Sequence, residues 1–314
     1  MENSSSFIEN EELNLVFFGG KGGVGKTTCA AATALKKANH GKKTLVMSIN
    51  PAHSLSDIFE CSIGNKITEI GHNLWGLEIS AEELVEDYRR KNIAYIRTIV
   101  DRGTYIDAES LNEFLDLSLP GVDEVIGLLK LMDIAKEGKY DLLILDTAAT
   151  GHTIRLFALP KLIDDFFDIL GIMEKKYNYI KMRLTRTRRS FNSVDKWLKK
   201  QKEDVKNLKS LITSSTTEFV LVIIPESMVV QETELLNDEI KKKGINVKNI
   251  IINMVNESEE CEFCKTRKKE HEKYALQIKS LFPNYRIIQE PLFPEGVKGM
   301  KDLAEFGNIL SRET

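Results

Sequence analysis

The side chains most able to do chemistry cluster in the run GGKGGVGKTT, Gly19 to Thr28. Gly20, Gly25, Lys26 and Thr27 satisfy the pattern G-x-x-x-x-G-K-[ST], in which small residues let backbone amides close around phosphate oxygens. Gly22, Gly23 and Val24 complete the loop. Thr28 falls in the Ala-rich helix expected to follow, whose N-terminus favours an anion. In this arrangement Lys26 reaches the β- and γ-phosphates of a nucleoside triphosphate, and the Thr27 hydroxyl is a Mg²⁺ ligand. Lys21 is a bulky cation inside a tight glycine loop, either a second amine for the phosphates or a solvated lysine. Asp146 ends the apolar run LLILD and is placed to hold Mg²⁺ through water. Cys29 reads as a small core residue rather than a reactive thiol.

A second constellation is EECEFCKTRKK, with Cys261 and Cys264 at C-x-x-C spacing. Such a pair can bite a metal ion, yet structural Zn²⁺ takes a full tetrahedron of ligands, and the chain's 4 cysteines offer no second pair. The missing ligands could come from a symmetry mate, giving a Cys₄ site on a two-fold axis. A redox dithiol and two unrelated surface thiols are the alternatives. Cys61 has no partner at ligand spacing.

These residues need a scaffold, and the hydropathy pattern supplies one. Apolar, β-branched runs at 15–18, 44–49, 74–79, 142–146, 219–224, 250–253 and 286–289 alternate with helical patterns. Several are apolar without alternation, as in parallel strands covered on both faces. Strand–helix–strand repetition predicts an α/β fold with a doubly wound, mostly parallel sheet, whose ligands sit at the carboxyl ends of the strands. Two stretches contain helical patterns alone, and Ser80 and Glu83 have the spacing of a capping box. The expected organisation is a mobile leader over 1–10 and a nucleotide-binding core over 11–79, 139–157 and 216–314. A helical subdomain, 80–138 and 158–215, is inserted in two pieces.

The 314 residues suffice for a sizeable core, and 42% hydrophobic with 29% charged residues reads as an ordinary soluble protein. A net charge of −3 gives no global pull toward nucleic acid or anionic membrane. No apolar run approaches the roughly 18 residues a membrane span needs. The N-terminus lacks the basic and apolar regions of a signal peptide, so a reducing cytoplasm is the expected location.

Within the helical pieces, Val125, Leu128, Leu129 and Met132 share one helix face, near Phe114. Ile163, Phe166, Phe167, Leu170 and Met173 form a second stripe. Such stripes usually face a core. Their width also suits a binding surface, since large exposed apolar area marks one.

Further motifs carry a resemblance. GKGGVGKTT with its inner lysine resembles the deviant phosphate loop of the ATPase class that holds the arsenite-pump and tail-anchored protein targeting ATPases. NPAHSLSD (residues 50–57) and LDTAATGHTIRLFALP (145–160) are similar to the two switches of those ATPases, with Ala149 where they have Pro. IPES, IINM and PLFPEGVKG are similar to their nucleotide-contacting segments. The resemblance covers nearly the whole chain. It implies that Lys21 reaches the partner subunit's nucleotide, that Glu226 and Asn253 contact ribose and adenine, and that the loop opening at Pro291 closes over the base. It implies a homodimer clamped by Zn²⁺ between Cys261–Cys264 pairs, with pairing of dimers into tetramers left open. PGVDEVIGLLKLMDIAK is similar to a helix lining a groove for a tail-anchored client's transmembrane helix, and a membrane receptor is a further implied partner. The family expects Asp at position 50, where it orients the attacking water. Asn50 hydrogen-bonds but cannot take up a proton, so ATP and Mg²⁺ should bind while hydrolysis slows. An arsenite-pump-type ATPase and an ATP-independent holdase are the alternative functions.

Overall fold

β-Branched and aromatic runs dominate the central strands, which are buried along their length. The computed structural model describes residues 6–49, 54–103, 122–147, 150–185 and 193–311. The chain forms two units. The first comprises Met1–Ser80, Ile134–Ile154 and Ile212–Thr314, and the second Ala81–Asp133 and Arg155–Leu211. The sequence pattern places the insert at 80–138 and 158–215.

The first unit is built on strands β1 (Leu15–Gly19), β2 (Thr44–Ser48), β3 (Thr68–Gly71), β4 (Leu74–Glu78), β5 (Leu142–Asp146), β6 (Thr217–Ile223), β7 (Asn249–Val255) and β8 (Arg286–Pro291). Their order is β3-β4-β2-β5-β1-β6-β7-β8. All pairs are parallel except β3–β4. β3 escapes the sequence pattern because its residues are only half-buried or exposed. One sheet face carries Val16, Phe18, Val46, Ile144, Val220 and Val222, packed with α1 (Lys26–Asn39) and α9 (Gly299–Leu310). α1 is rich in alanine and therefore thin, and Gly307 of α9 lets the two helices approach. A Cβ there would lie 3.2 Å from the Ala32 carbonyl oxygen.

The leader expected over 1–10 needs correction from Ser6 onward. Phe7 and Ile8 are fully buried, and Phe7 meets Phe18 edge-on with ring centroids 5.9 Å apart. The amides of Glu9 and Asn10 donate to the Ser6 carbonyl at 2.9 Å. Two large apolar side chains outweigh their polar neighbours once the sheet offers a place to bury them.

The second unit contains α3 (Ala81–Gly103), most of α4 (Val122–Glu137), α5 (Thr150–Thr185) and α6 (Ser193–Ile212). Its core joins Ile99, Phe167, Leu170, Val194, Trp197 and Leu198. Trp197 stacks on Tyr95 at 5.3 Å, takes Phe167 edge-on at 5.6 Å, and donates from its indole to Asn92 Oδ1 at 2.8 Å. A buried Trp with its one donor satisfied fixes how these helices pack.

Candidate nucleotide site and thiol pair

β1 delivers the chain into the glycine loop at the carboxyl edge of the sheet, beside β5 and β6. Gly20 lies so close to β6 that a Cβ would fall 2.0 Å from the Val222 carbonyl oxygen. Gly25 has φ 90° and precedes α1, a left-handed conformation that suits glycine. α1 has no side-chain N-cap and no acidic residue in its first turn. Its leading amides and dipole are thus available to an anion. Gly22 and Gly23 are exposed, Val24 is buried, and Thr28 is half-buried.

Lys26 is buried, and its Nζ donates to the Lys21 carbonyl at 2.9 Å. Burial pulls its pKa down, partly offset by the Asp146 charge. Lys21 Nζ lies 3.2 Å from Glu232 Oε1 of α7 (Ser227–Lys242).

Asp146 ends β5 with 1% exposure. Its Oδ2 accepts from the Thr27 hydroxyl at 2.7 Å and the Ser48 hydroxyl at 3.2 Å. Its Oδ1 is buried with no hydrogen-bond partner among the described residues. Burial lifts the carboxyl pKa to about 6, against the pull of Thr27, Lys26 and Ser48. A buried, under-satisfied carboxylate oxygen beside a threonine hydroxyl fits Mg²⁺, and these two residues are the ones expected to hold it.

The strand register explains a residue that the motifs did not single out. Ser48 is level with both Asp146 and Glu78. Glu78 is 3% exposed and accepts from the Leu55 amide at 2.9 Å, the Ser56 amide at 3.2 Å and the Ser56 hydroxyl at 2.7 Å. It thereby caps α2 (Ser54–Phe59), the helix that begins within the first switch. Asn50 itself, with residues 51–53, and Ala149 in the second switch lie outside the described residues.

Asn253 is 3% exposed, and its amide donates to the Val24 carbonyl at 2.9 Å. A register shift between Ile252 and Val255, with Met254 at φ 58°, breaks the β7 ladder at this point. The residue expected to contact ribose or base thus also braces the phosphate loop. Glu226 is exposed at the start of α7 and pairs with Arg267 at 3.7 Å. Pro291 is level with Val255, whose carbonyl accepts from the Leu292 amide at 2.8 Å.

Cys261 is the N-cap of α8 (Glu262–Leu281). Its sulfur lies 2.9 Å from Cys264 Sγ and accepts from the Cys264 amide at 3.2 Å. The Cys264 sulfur and amide hold the Cys261 thiol below its usual range, while the neighbouring Cys261 sulfur and burial push the Cys264 thiol up. Asn256 fixes the pair from behind, donating to the Cys264 carbonyl at 2.8 Å, and its amide donates to His271 Nδ1 at 3.0 Å. No group of three or more His, Cys, Asp or Glu able to hold a metal occurs among the described residues. The chain supplies two of the four sulfurs a closed zinc site needs, which fits a shared site and not a site within one chain.

The proposed groove residues are mostly interior where they are described. Leu128, Leu129, Met132, Phe167 and Leu170 are buried, and Met173 is half-buried. Phe114 and the side chains of Val125, Ile163 and Phe166 lie outside the described residues. The exposed apolar residues of α5 are others: Ile169 (58%), Ile172 (64%), Tyr179, Ile180, Met182 and Leu184. A helix apolar on two sides does not reveal its phase from spacing alone. No described helix is long and apolar enough to cross a membrane.

Comparison with known proteins bears on this geometry. The family described as anion-transporting ATPase matches residues 13–312. ATPase ASNA1 homolog 1 of Paramecium tetraurelia is 33% identical, over 96% of this chain and 94% of its own. Putative arsenical pump-driving ATPase 2 of Aquifex aeolicus is 34% identical, over 95% of this chain and 99% of its own. ATPase GET3C of Arabidopsis thaliana is 30% identical, over 98% of this chain and 86% of its own. With the phosphate loop, its second lysine and the Asp146–Thr27 pair in one sheet edge, this chain belongs to the anion-transporting ATPase family and is similar over nearly its whole length to the ASNA1 and GET3 ATPases.

Proposed function

We propose that this protein is an ATP-switched targeting factor. Two copies close around two ATP molecules and hold the transmembrane helix of a tail-anchored protein in an apolar groove, working from the cytoplasm. Hydrolysis then loosens the groove for delivery to a membrane receptor. The observation that carries this reading is the stripe Ile169, Ile172, Tyr179 and Ile180 on α5. Spaced 3, 7 and 1 residues apart, the four fall within about 100° of the circumference of a helix that starts at Thr150, inside the second switch. A helix-in-groove complex needs such anchors, and a phosphate-dependent switch is a known means of moving them.

At the nucleotide, Lys26 and the start of α1 neutralise phosphate charge, and Asp146 and Thr27 hold the cation. Mg²⁺ supplies charge stabilisation at the transferring phosphoryl group when bound. Asn50 hydrogen-bonds without accepting a proton, so this chain holds ATP longer than one with aspartate at that position would. Cys261 and Cys264 from each copy enclose one Zn²⁺ and clamp the pair.

The Aquifex relative's name favours a second reading, an arsenical pump driver. A soft metalloid wants clustered thiols, whereas Cys29 is buried and no third thiol joins Cys261 and Cys264 among the described residues. The targeting reading is therefore preferred.

Co-expression with a protein ending in a single transmembrane helix, purified with ATP and Mg²⁺, provides the test. A client retained in fixed stoichiometry and lost in the Ile169→Asp/Ile172→Asp variant is the expected result, with about one Zn²⁺ per two chains. Recovery of a folded chain without client, with ATP turnover raised by arsenite, would overturn it. Asp at Leu128 or Phe167 would not be informative, since those buried positions would unfold the unit.

A further inference from the structure

Lys21 occupies an unusual position in the loop. Its ammonium is bound to Glu232 at 3.2 Å, and its backbone carbonyl accepts the Lys26 ammonium at 2.9 Å. Both cations of the phosphate loop are thus satisfied inside the chain, and both bonds meet at residue 21. Glu232 lies on α7, the helix after β6, outside the glycine loop. It brings a carboxylate to the edge of a cradle built for polyphosphate, which electrostatics disfavours unless that carboxylate has a task.

We propose that Glu232 is a positioning residue that holds Lys21 out of the reactive site until triphosphate arrives. This rests on the reading that the chain pairs around ATP. Phosphate oxygens draw Lys26 off the Lys21 carbonyl, which frees the peptide that orients Lys21. The Lys21 ammonium then exchanges Glu232 for phosphate. Both side chains of the pair are partly exposed, 38% and 40%. An ion pair so exposed is weak, strong enough to bias the lysine and weak enough to lose to a triphosphate. With Lys21 held, an empty chain presents no free loop cation to a partner, and premature closure is disfavoured.

The test compares wild type, Glu232→Gln, Lys21→Met and the double variant. MgATP and MgADP affinities are measured by calorimetry, and ATP-dependent pairing by sedimentation velocity. Glu232→Gln is near-isosteric at a part-exposed site, and unchanged thermal unfolding verifies its fold. The expected result is a preference for ATP over ADP raised about threefold, shrinking in high salt, with pairing at correspondingly lower ATP. In the Lys21→Met background the same substitution should leave the ATP-over-ADP preference unmoved. No change in Glu232→Gln, or an equal change without Lys21, would overturn the proposal, the latter by showing direct repulsion between Glu232 and nucleotide. If wild type binds ATP but never pairs, the targeting reading fails instead, and the calorimetric cycle alone decides the role of Glu232.

Discussion

Replacing Gly25 with alanine should expose how tightly the phosphate loop is braced. The position has φ 90°, and a Cβ there would lie 2.2 Å from Asn253 Nδ2. Alanine in left-handed backbone costs about 1–2 kcal/mol. Asn253 must also leave the Val24 carbonyl, to which it donates at 2.9 Å, and a buried polar group without its partner costs about 1–3 kcal/mol. The sum, about 2–5 kcal/mol, corresponds to a fall in Tm of about 5–15 °C for a unit of this size. Circular dichroism melts of the nucleotide-free chain measure it. A double-mutant cycle with Asn253→Ala isolates the clash. Removing the amide makes room for the new methyl group, so the double variant should be less destabilised than the sum of the singles by about 1–2 kcal/mol. Strict additivity would show that Asn253 does not brace the loop against Gly25, and would refute the assignment.

Further outcomes follow from the same geometry. The Asp146 pKa rises from 3.8 to about 6 on folding, so the folded chain holds a proton that the unfolded chain has lost. Stability without nucleotide should therefore decline as pH rises from about 4 to 6, by up to about 3 kcal/mol. Asp146→Asn should flatten that slope in pH-dependent melts, and stabilisation by MgATP should weaken as pH falls below about 6. His271 is held below its ordinary pKa by burial and accepts from the Asn256 amide through Nδ1. Its neutral form contributes stability above about pH 6.5 that is lost on acidification, and the Asn256 amide should lose hydrogen-exchange protection there; protection unchanged by acid would remove that role. Asn50→Asp should raise single-turnover ATP hydrolysis by about 10²–10⁴-fold while leaving ATP affinity nearly unchanged, and equal turnover in the two chains would remove position 50 from the chemistry.

The parts legible in sequence were those where one physical demand dominates a short stretch. Strands 142–146 and 219–224 had to be apolar along their buried length, up to Asp146 at the carboxyl end of the first, and the glycine loop had to be small to approach phosphate. β3 was not legible, since Thr68–Gly71 is a half-covered edge with no continuous apolar signal. Phe7 and Ile8 were missed because their burial depends on a sheet assembled from residues far along the chain. Glu78, Ser48 and Glu232 became site residues only through strand register and helix packing, which no local motif encodes. α5 illustrates the remaining difficulty. Phe167 and Leu170 enter the core while Ile169 and Ile172 stay outside, and both sets have acceptable helical spacing.

The distribution of thiols makes the protein a ready-made spectroscopic reporter. Cys29 is wholly buried, with its thiol pushed far up by burial, and Cys61 is half-buried with its thiol also raised. Cys261 alone is both exposed and shifted toward thiolate, and thiolate is the form that alkylating reagents attack. A brief maleimide pulse at neutral pH should label Cys261 ahead of every other cysteine, without any engineered substitution. A fluorophore or spin label delivered that way would sit at the head of α8 and occupy a sulfur proposed to hold Zn²⁺, so bound metal should slow the labelling and a labelled chain should no longer clamp a partner.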